Sequence, residues 1–402
     1  MHLHDVPLFF ALCGLAFYTV LGGADFGAGW WQLAAGRGPQ AERIREHAHR
    51  AMAPVWEANH VWLIFVLVVV WTSYPVAFSS IVSTLSIPLF IAAVGVILRG
   101  ATYVLRYGTA TPGEVRTVDT AFAFSSILTP LALGAAVGGI ASRRVPVGNA
   151  AGDLVTSWLN PTSITIGVLA VVTAAYLAAV FLCGDAVRIR DAALEAAFRR
   201  RALGAGVVAG AVAIAALFVL RSDAEPVYRR LVEGRGLPAL IASVLAGIAT
   251  LALVWRRRYE PARYTAAVAV AAIIAGWALA QAPVLLPGLT IEQAAAPHDT
   301  LVTVIVAVVA GGVILFPALG LLFRLVLIGA FDRPEQQPAV ARQLVRESRR
   351  GFLARVAVAL LVVGVGLTTV AEAGWAHAVG VPALLGFVVL AFPAALPPES
   401  AV

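Results

Sequence analysis

Residues 52–64, Met52-Ala-Pro-Val-Trp-Glu-Ala-Asn-His-Val-Trp-Leu-Ile64, open a long apolar run and yet carry Glu57, Asn59 and His60 between Trp56 and Trp62. Glu57 and His60 are three residues apart and Trp56 and His60 four apart, so they share one face of a helix. Whether those groups sit in water or lipid decides what they do, and the rest of the chain answers that. Its 402 residues are 60% hydrophobic and only 13% charged, with mean hydropathy +0.88. Soluble domains carry about 25% charged residues. The chain is therefore expected to cross a membrane many times, and ionisable groups within such spans are costly and mark partners or ion paths.

Working outward, apolar runs near the spanning length of about 20 residues recur along the chain. The expected fold is all-α, a polytopic transmembrane helical bundle of eleven spans. They lie near 7–33, 54–74, 77–105, 119–141, 162–183, 202–220, 237–255, 264–286, 300–328, 352–371 and 378–395. Every one of the 29 basic residues is arginine, and 22 of them fall in alternate loops: Arg37 to Arg50, Arg106 and Arg116, Arg188 to Arg201, Arg256 to Arg263, and Arg324 to Arg355. Basic residues concentrate in cytoplasmic loops. That bias predicts an external N-terminus and a cytoplasmic C-terminus, and it accounts for the net charge of +7 without any nucleic acid.

Within this frame, Gly22-Gly-Ala-Asp-Phe-Gly-Ala-Gly29 closes the first span. Its glycines let helices approach closely, while Asp25 is placed near the inner end, at the depth of Glu57. Arg99 lies in the third span, also toward the inner side. It either neutralises Asp25 or Glu57, or snorkels to the headgroups. In the loop before the ninth span, Asp299 or Thr300 is expected to cap that helix. Glu372 and His377, in the short outer connection between the last two spans, read as solvated.

Redox and nucleotide motifs are missing from the sequence. Cys13 and Cys183 are the two cysteines, with no CxxC, haem-attachment, HExxH, Walker or GxGxxG pattern. Of seven histidines only His60 falls within a span, a poor basis for an axial haem pair. What remains is a protonatable set of Asp25, Glu57 and His60, with Trp56, Asn59 and Arg99 beside it. It reads either as a proton path or as a polar cluster fixing helix packing.

Three stretches together, Gly22 to Gly29, Ala53 to Ile64 and Leu98-Arg-Gly-Ala-Thr-Tyr103, resemble subunit II of the cytochrome bd-type quinol oxidases. Ala296-Pro-His-Asp-Thr-Leu301 and Phe316-Pro317 are similar to the family's ninth-helix region. The resemblance implies a respiratory, electron-transporting complex with a haem-bearing cytochrome bd subunit I, in which haem b and haem d sit in that partner and none is bound by this chain. A structural quinone in this chain and a small accessory membrane subunit are further implied, as is quinol-driven reduction of dioxygen to water in the cell membrane. Glu57 matches the family acid assigned to cytoplasmic proton delivery, with Trp56 and Asn59 beside it. Here Glu57 stands for the usual aspartate, Ala58 for glycine, and His60 for Glu or Gln. Residues 1–330 form the family-like membrane domain; residues 331–402 add an Arg-rich cytoplasmic loop and two further spans. The competing readings are a proton- or cation-coupled transporter built on Asp25, Glu57 and Arg99, and a membrane scaffold without chemistry.

Overall fold

The computed structural model describes residues 2–52, 56–106 and 112–327, and, in the C-terminal unit, short pieces between 356 and 364 and residues 374–395. Two compact units divide the chain, Met1–Phe331 and Asp332–Val402. The second is described by helix α15 (Gly374–Ala395), where a Cβ added at Gly386 would touch Leu360.

In the first unit the opening span runs from Leu3 to Leu33. It comprises α1 (Val6–Phe17), a π-helical turn (Tyr18–Gly22) and α2 (Gly23–Leu33). A surface helix, α3 (Pro39–Met52), follows, burying Ala41, Ile44, His47 and Ala48 at helical spacing and exposing Glu42, Arg43, Glu46 and Arg50. Next come α4 (Trp56–Ser73), α5 (Pro75–Thr84), α6 (Ser86–Arg106), α7 (Pro112–Ala141), α8 (Pro161–Arg188) and α9 (Ala192–Asp223). A short α10 (Glu225–Val232), α11 (Leu237–Trp255) and α12 (Tyr259–Gln281) lead to a hairpin of β1 (Val284–Leu286) and β2 (Leu289–Thr290). The unit ends with α13 (Ile291–Ala294) and α14 (His298–Leu327).

Among the described residues, seven helices are long and apolar enough to cross a membrane, or eight if α5 and α6 together make one span. The chain is an integral membrane protein of helical architecture. The expected continuous span 77–105 is instead bent by 83° between α5 and α6. Pro88 explains the break: it lacks the N–H that would continue the ladder of α5. Leu85 N closes on Ile81 O at 2.9 Å, Leu89 N reopens on Leu85 O at 3.1 Å, and the Ser157 hydroxyl reaches the Thr84 carbonyl at 3.5 Å. The expected span 54–74 corresponds to α4, whose described apolar part Asn59–Ser73 is shorter than a full crossing. The expected span 352–371 lies largely outside the described residues; 378–395 lies within α15.

Helix α8 is the axis of the unit, packed by α2, α7 and α9. Its second half, Thr173 to Gly184, is mostly small or aliphatic, with Tyr176 and Phe181 the exceptions, and almost wholly buried. A Cβ at Gly27 would overlap the Ala174 carbonyl oxygen, so only glycine lets α2 lie this close to α8. Asn160 caps α8 through Ser163 N at 2.9 Å, and Asp191 caps α9 through Ala193 N and Leu194 N at 3.1 and 3.0 Å.

The turns between α8 and α9 and between α11 and α12, which carry Arg190 and Arg256 to Arg258, form an arginine-bearing end of the unit. Arg43 of α3 pairs with Asp191, and Arg199 donates to the carbonyls of Val254 and Trp255 at 3.2 and 2.7 Å, closing α11. At the other end Arg144 holds Asp223 through two bonds of 3.0 and 2.7 Å, and Thr162 Oγ1 donates to the same carboxylate at 2.6 Å. There the Tyr74 hydroxyl donates to His4 O at 2.6 Å and accepts from Leu8 N at 3.0 Å. The capping expectation for the ninth span is corrected at this end. Helix α14 already begins at His298, and Asp299 sits in its first turn, 3.2 Å from His298 Nδ1. The reciprocal cap belongs to α13, between Thr290 and Gln293.

Candidate functional site

The polar interior of the unit is built where α2, α6 and α7 meet. Arg99 of α6 is 0% exposed, as is Asp25 of α2. Its Nε donates to Asp25 Oδ2 at 2.8 Å and its Nη2 to Oδ1 at 2.7 Å, a two-pronged pair. The same Nη2 reaches the Asp25 carbonyl at 2.5 Å, and Nη1 donates to the Ser126 hydroxyl of α7. The guanidinium lies between two rings, 4.9 Å from the centre of Phe26 and 4.2 Å from that of Phe122. Gly29 makes the arrangement feasible, because a Cβ there would overlap Ser126. Of the fates the sequence leaves open for Arg99, the structure shows the pair with Asp25 and a fully buried side chain that does not snorkel, while the Glu57 side chain lies outside the described residues.

Beside this lock, α1 widens into the π-helical turn Tyr18–Gly22. Such turns inside α-helices recur at functional sites. Asn59, 2% exposed in the first turns of α4, donates its amide to the Leu21 carbonyl of that turn at 3.3 Å. His60 is half-buried, with its ring centre 6.0 Å from those of both Tyr18 and Phe26. Trp62 continues the face, stacked on Phe17 at 4.6 Å. Thus Asp25, Arg99, Asn59 and His60, singled out in sequence, converge around one short length of the first span. Trp56 and Glu57 begin α4 through their main chain, but their side chains lie outside the described residues.

Sequence reading missed three participants: Ser126, Phe26 and Phe122. Ser125-Ser126 in an otherwise apolar run was the available signal for the first. Nothing marks the two phenylalanines, which become specific only once helix rotation is known. Among the described residues, no group of three His, Cys, Asp or Glu side chains is placed to hold a metal ion. What the arrangement offers is a fully buried ion pair next to a helix break and an amide–carbonyl contact, near the start of α4.

Comparison with known proteins gives this geometry a family. A family model described as cytochrome bd terminal oxidase subunit II matches residues 3–326. Among solved structures, the chain is similar to one described as the structure of bd oxidase from Geobacillus thermodenitrificans. The TM-score is 0.67 at 25% identity, covering 82% of this chain and 99% of that one. No curated protein matches the chain. The family implies haems in a partner subunit. A model spanning so much of the chain, together with a matching solved structure, makes this protein a member of the cytochrome bd terminal oxidase subunit II family.

Proposed function

We propose that this chain is the haem-free subunit of a quinol oxidase in the cell membrane, with its N-terminus outside and its C-terminus in the cytoplasm. Its partner is the haem-bearing subunit I, and the complex reduces dioxygen to water with electrons from quinol. The observation that carries this reading is the family match across residues 3–326. Haem b and haem d, held by the partner, supply the electron transfer and dioxygen chemistry. This chain supplies proton delivery.

Reducing dioxygen to water consumes protons as well as electrons. Glu57, at the second position of α4, is the group that takes up and releases them, as general acid–base work requires. Asn59 fixes the pitch of α4 against the broken first span through the Leu21 carbonyl. Asp25 and Arg99 act as positioning residues: a closed pair, with Ser126 as third partner, holds α2, α6 and α7 in register beside the route. His60 and Trp56 are supporting neighbours in this scheme. Residues 331–402 extend the subunit beyond the matched region, with contacts to further membrane partners as their proposed role.

The test is purification of the chain from its native membrane together with whatever it binds. Haem b and haem d bands in the visible spectrum, with quinol-dependent oxygen uptake, are expected. A haem-free preparation that takes up a solute or cation would replace the oxidase reading by the transporter one.

A further inference from the structure

At the arginine-bearing end, two helical turns face each other across a cavity of about 290 Å³, lined by Val187, Arg190, Asp191, Glu195, Arg257 and Tyr259. Arg190 belongs to the turn between α8 and α9, and Arg257 to the turn between α11 and α12. Both arginines occupy the left-handed region, with φ of 59° and 57°, a conformation usually left to glycine. Neither turn needs arginine there to close its helix. The closing bonds are made by the main chain: Arg190 N and Asp191 N to the Val187 and Ala186 carbonyls at 3.0 and 2.9 Å, and Arg257 N and Arg258 N to Val254 and Leu253 at 3.1 and 2.8 Å.

The charges in and around the cavity are unevenly satisfied. Asp191 is saturated by the α9 cap and by Arg43. Glu195 accepts from the Tyr259 hydroxyl and lies 3.8 Å from Arg257 Nη1. Arg190, by contrast, is exposed and makes no side-chain hydrogen bond or ion pair among the described residues. Arg256 and Arg258, flanking Arg257, are equally exposed and unpaired among them. Apolar side chains are exposed here too: Val187 in the lining is 51% exposed, and Trp255, two residues before Arg257 at the end of α11, is 68% exposed. Exposed tryptophan next to arginines at the ends of spanning helices is the composition of a membrane–water interface.

We propose that this cavity binds the phosphodiester headgroup of an anionic lipid, with Arg190 and Arg257 converging on the phosphate and Val187 and Trp255 meeting the glycerol and upper acyl region. A free phosphate shares the anion chemistry but has no use for the exposed apolar side chains or for a position at the ends of four spanning helices. Juxtamembrane arginines attract the anionic leaflet in this way. The site is independent of the oxidase reading.

The test uses the purified complex containing this chain, in nanodiscs of phosphatidylcholine with increasing phosphatidylglycerol, read by the thermal midpoint of the chain. Glycine accepts the left-handed conformation, so Arg190→Gly with Arg257→Gly removes both charges and preserves both turns. Arg143, at φ 61° after α7, is the same backbone device at the opposite end, and Arg143→Gly serves as control. The wild type and the control are expected to gain stability as phosphatidylglycerol rises. The double variant is expected to need roughly thirtyfold more of it for the same gain, while matching the wild type in phosphatidylcholine alone. The proposal is overturned if the double variant responds like the wild type, or if the control loses as much. It is overturned also if inorganic phosphate, titrated in neutral detergent, produces the same shift as the lipid.

Discussion

Replacing Arg99 by methionine keeps the length and apolar stem of the side chain and removes the cation. Asp25 then remains fully buried with its two guanidinium donors gone. Removing one partner of a buried pair costs about 3–5 kcal/mol, since the other charge is left uncompensated. The loss of contact with the Phe26 and Phe122 rings adds about 0.5–2 kcal/mol. Asp25→Asn strands the guanidinium in turn, although the Asp25 carbonyl and Ser126 still accept from it, so its cost falls at the low end of that range. The double variant Asp25→Asn with Arg99→Met removes both charges of the pair and leaves one amide to satisfy, about 1–3 kcal/mol. The two single effects therefore exceed the double one, with a coupling of at least about 2 kcal/mol. Reversible unfolding in mixed detergent micelles measures all four corners of the cycle. Single effects below about 1 kcal/mol, or additivity within about 0.5 kcal/mol, would refute the assignment of Asp25 and Arg99 as one locked unit.

Other perturbations reach other joints of the fold. His47 of α3 is buried against Phe198 with Nε2 3.2 Å from the Leu182 carbonyl, and burial pulls its pKa below the ordinary 6.5, against the opposing pull of Asp185 and Asp191. A depressed folded-state value means that stability is complete above pH 6.5 and is lost as the pH falls through the folded value. The protection of residues 39–52 against hydrogen exchange, after correction for the intrinsic pH dependence of exchange, is thus expected to fall on acidification below 6.5, and to lose that dependence in His47→Gln; an unchanged protection profile in the wild type would contradict it. Gly27→Ala presses a methyl group into the Ala174 carbonyl, a main-chain atom that cannot step aside. The cost is expected near the upper end of about 1–3 kcal/mol, and a thermal midpoint equal to that of the wild type would show that α2 and α8 have room to part.

How far the sequence carries can be traced through particular residues. The helical, membrane-spanning class follows from composition, and Asp25, Arg99, Asn59 and His60 stand out because they interrupt apolar runs. Their mutual contacts were beyond reach, because helix rotation decides whether Arg99 turns to Asp25, to Glu57 or to the headgroups. Three local features were legible and went unread. Pro88 marks the break between α5 and α6, and Ser126 marks the third partner of the lock. Ile44, His47 and Ala48, opposite Arg43, Glu46 and Arg50, mark α3 as a surface helix. The π-helical turn at Tyr18–Gly22 has no such mark in the sequence; in the structure the Leu21 carbonyl within it accepts from the Asn59 amide of α4.

The central claim is that protons consumed in dioxygen reduction enter through Glu57. The direct measurement is quinol-driven oxygen uptake by the purified complex carrying Glu57→Gln, normalised to haem content, with Glu57→Asp alongside. The account predicts that Glu57→Gln assembles with full haem content and loses most of its turnover, about a hundredfold for a general acid–base group, while Glu57→Asp retains much of it. Wild-type turnover in Glu57→Gln at full haem content would contradict the account.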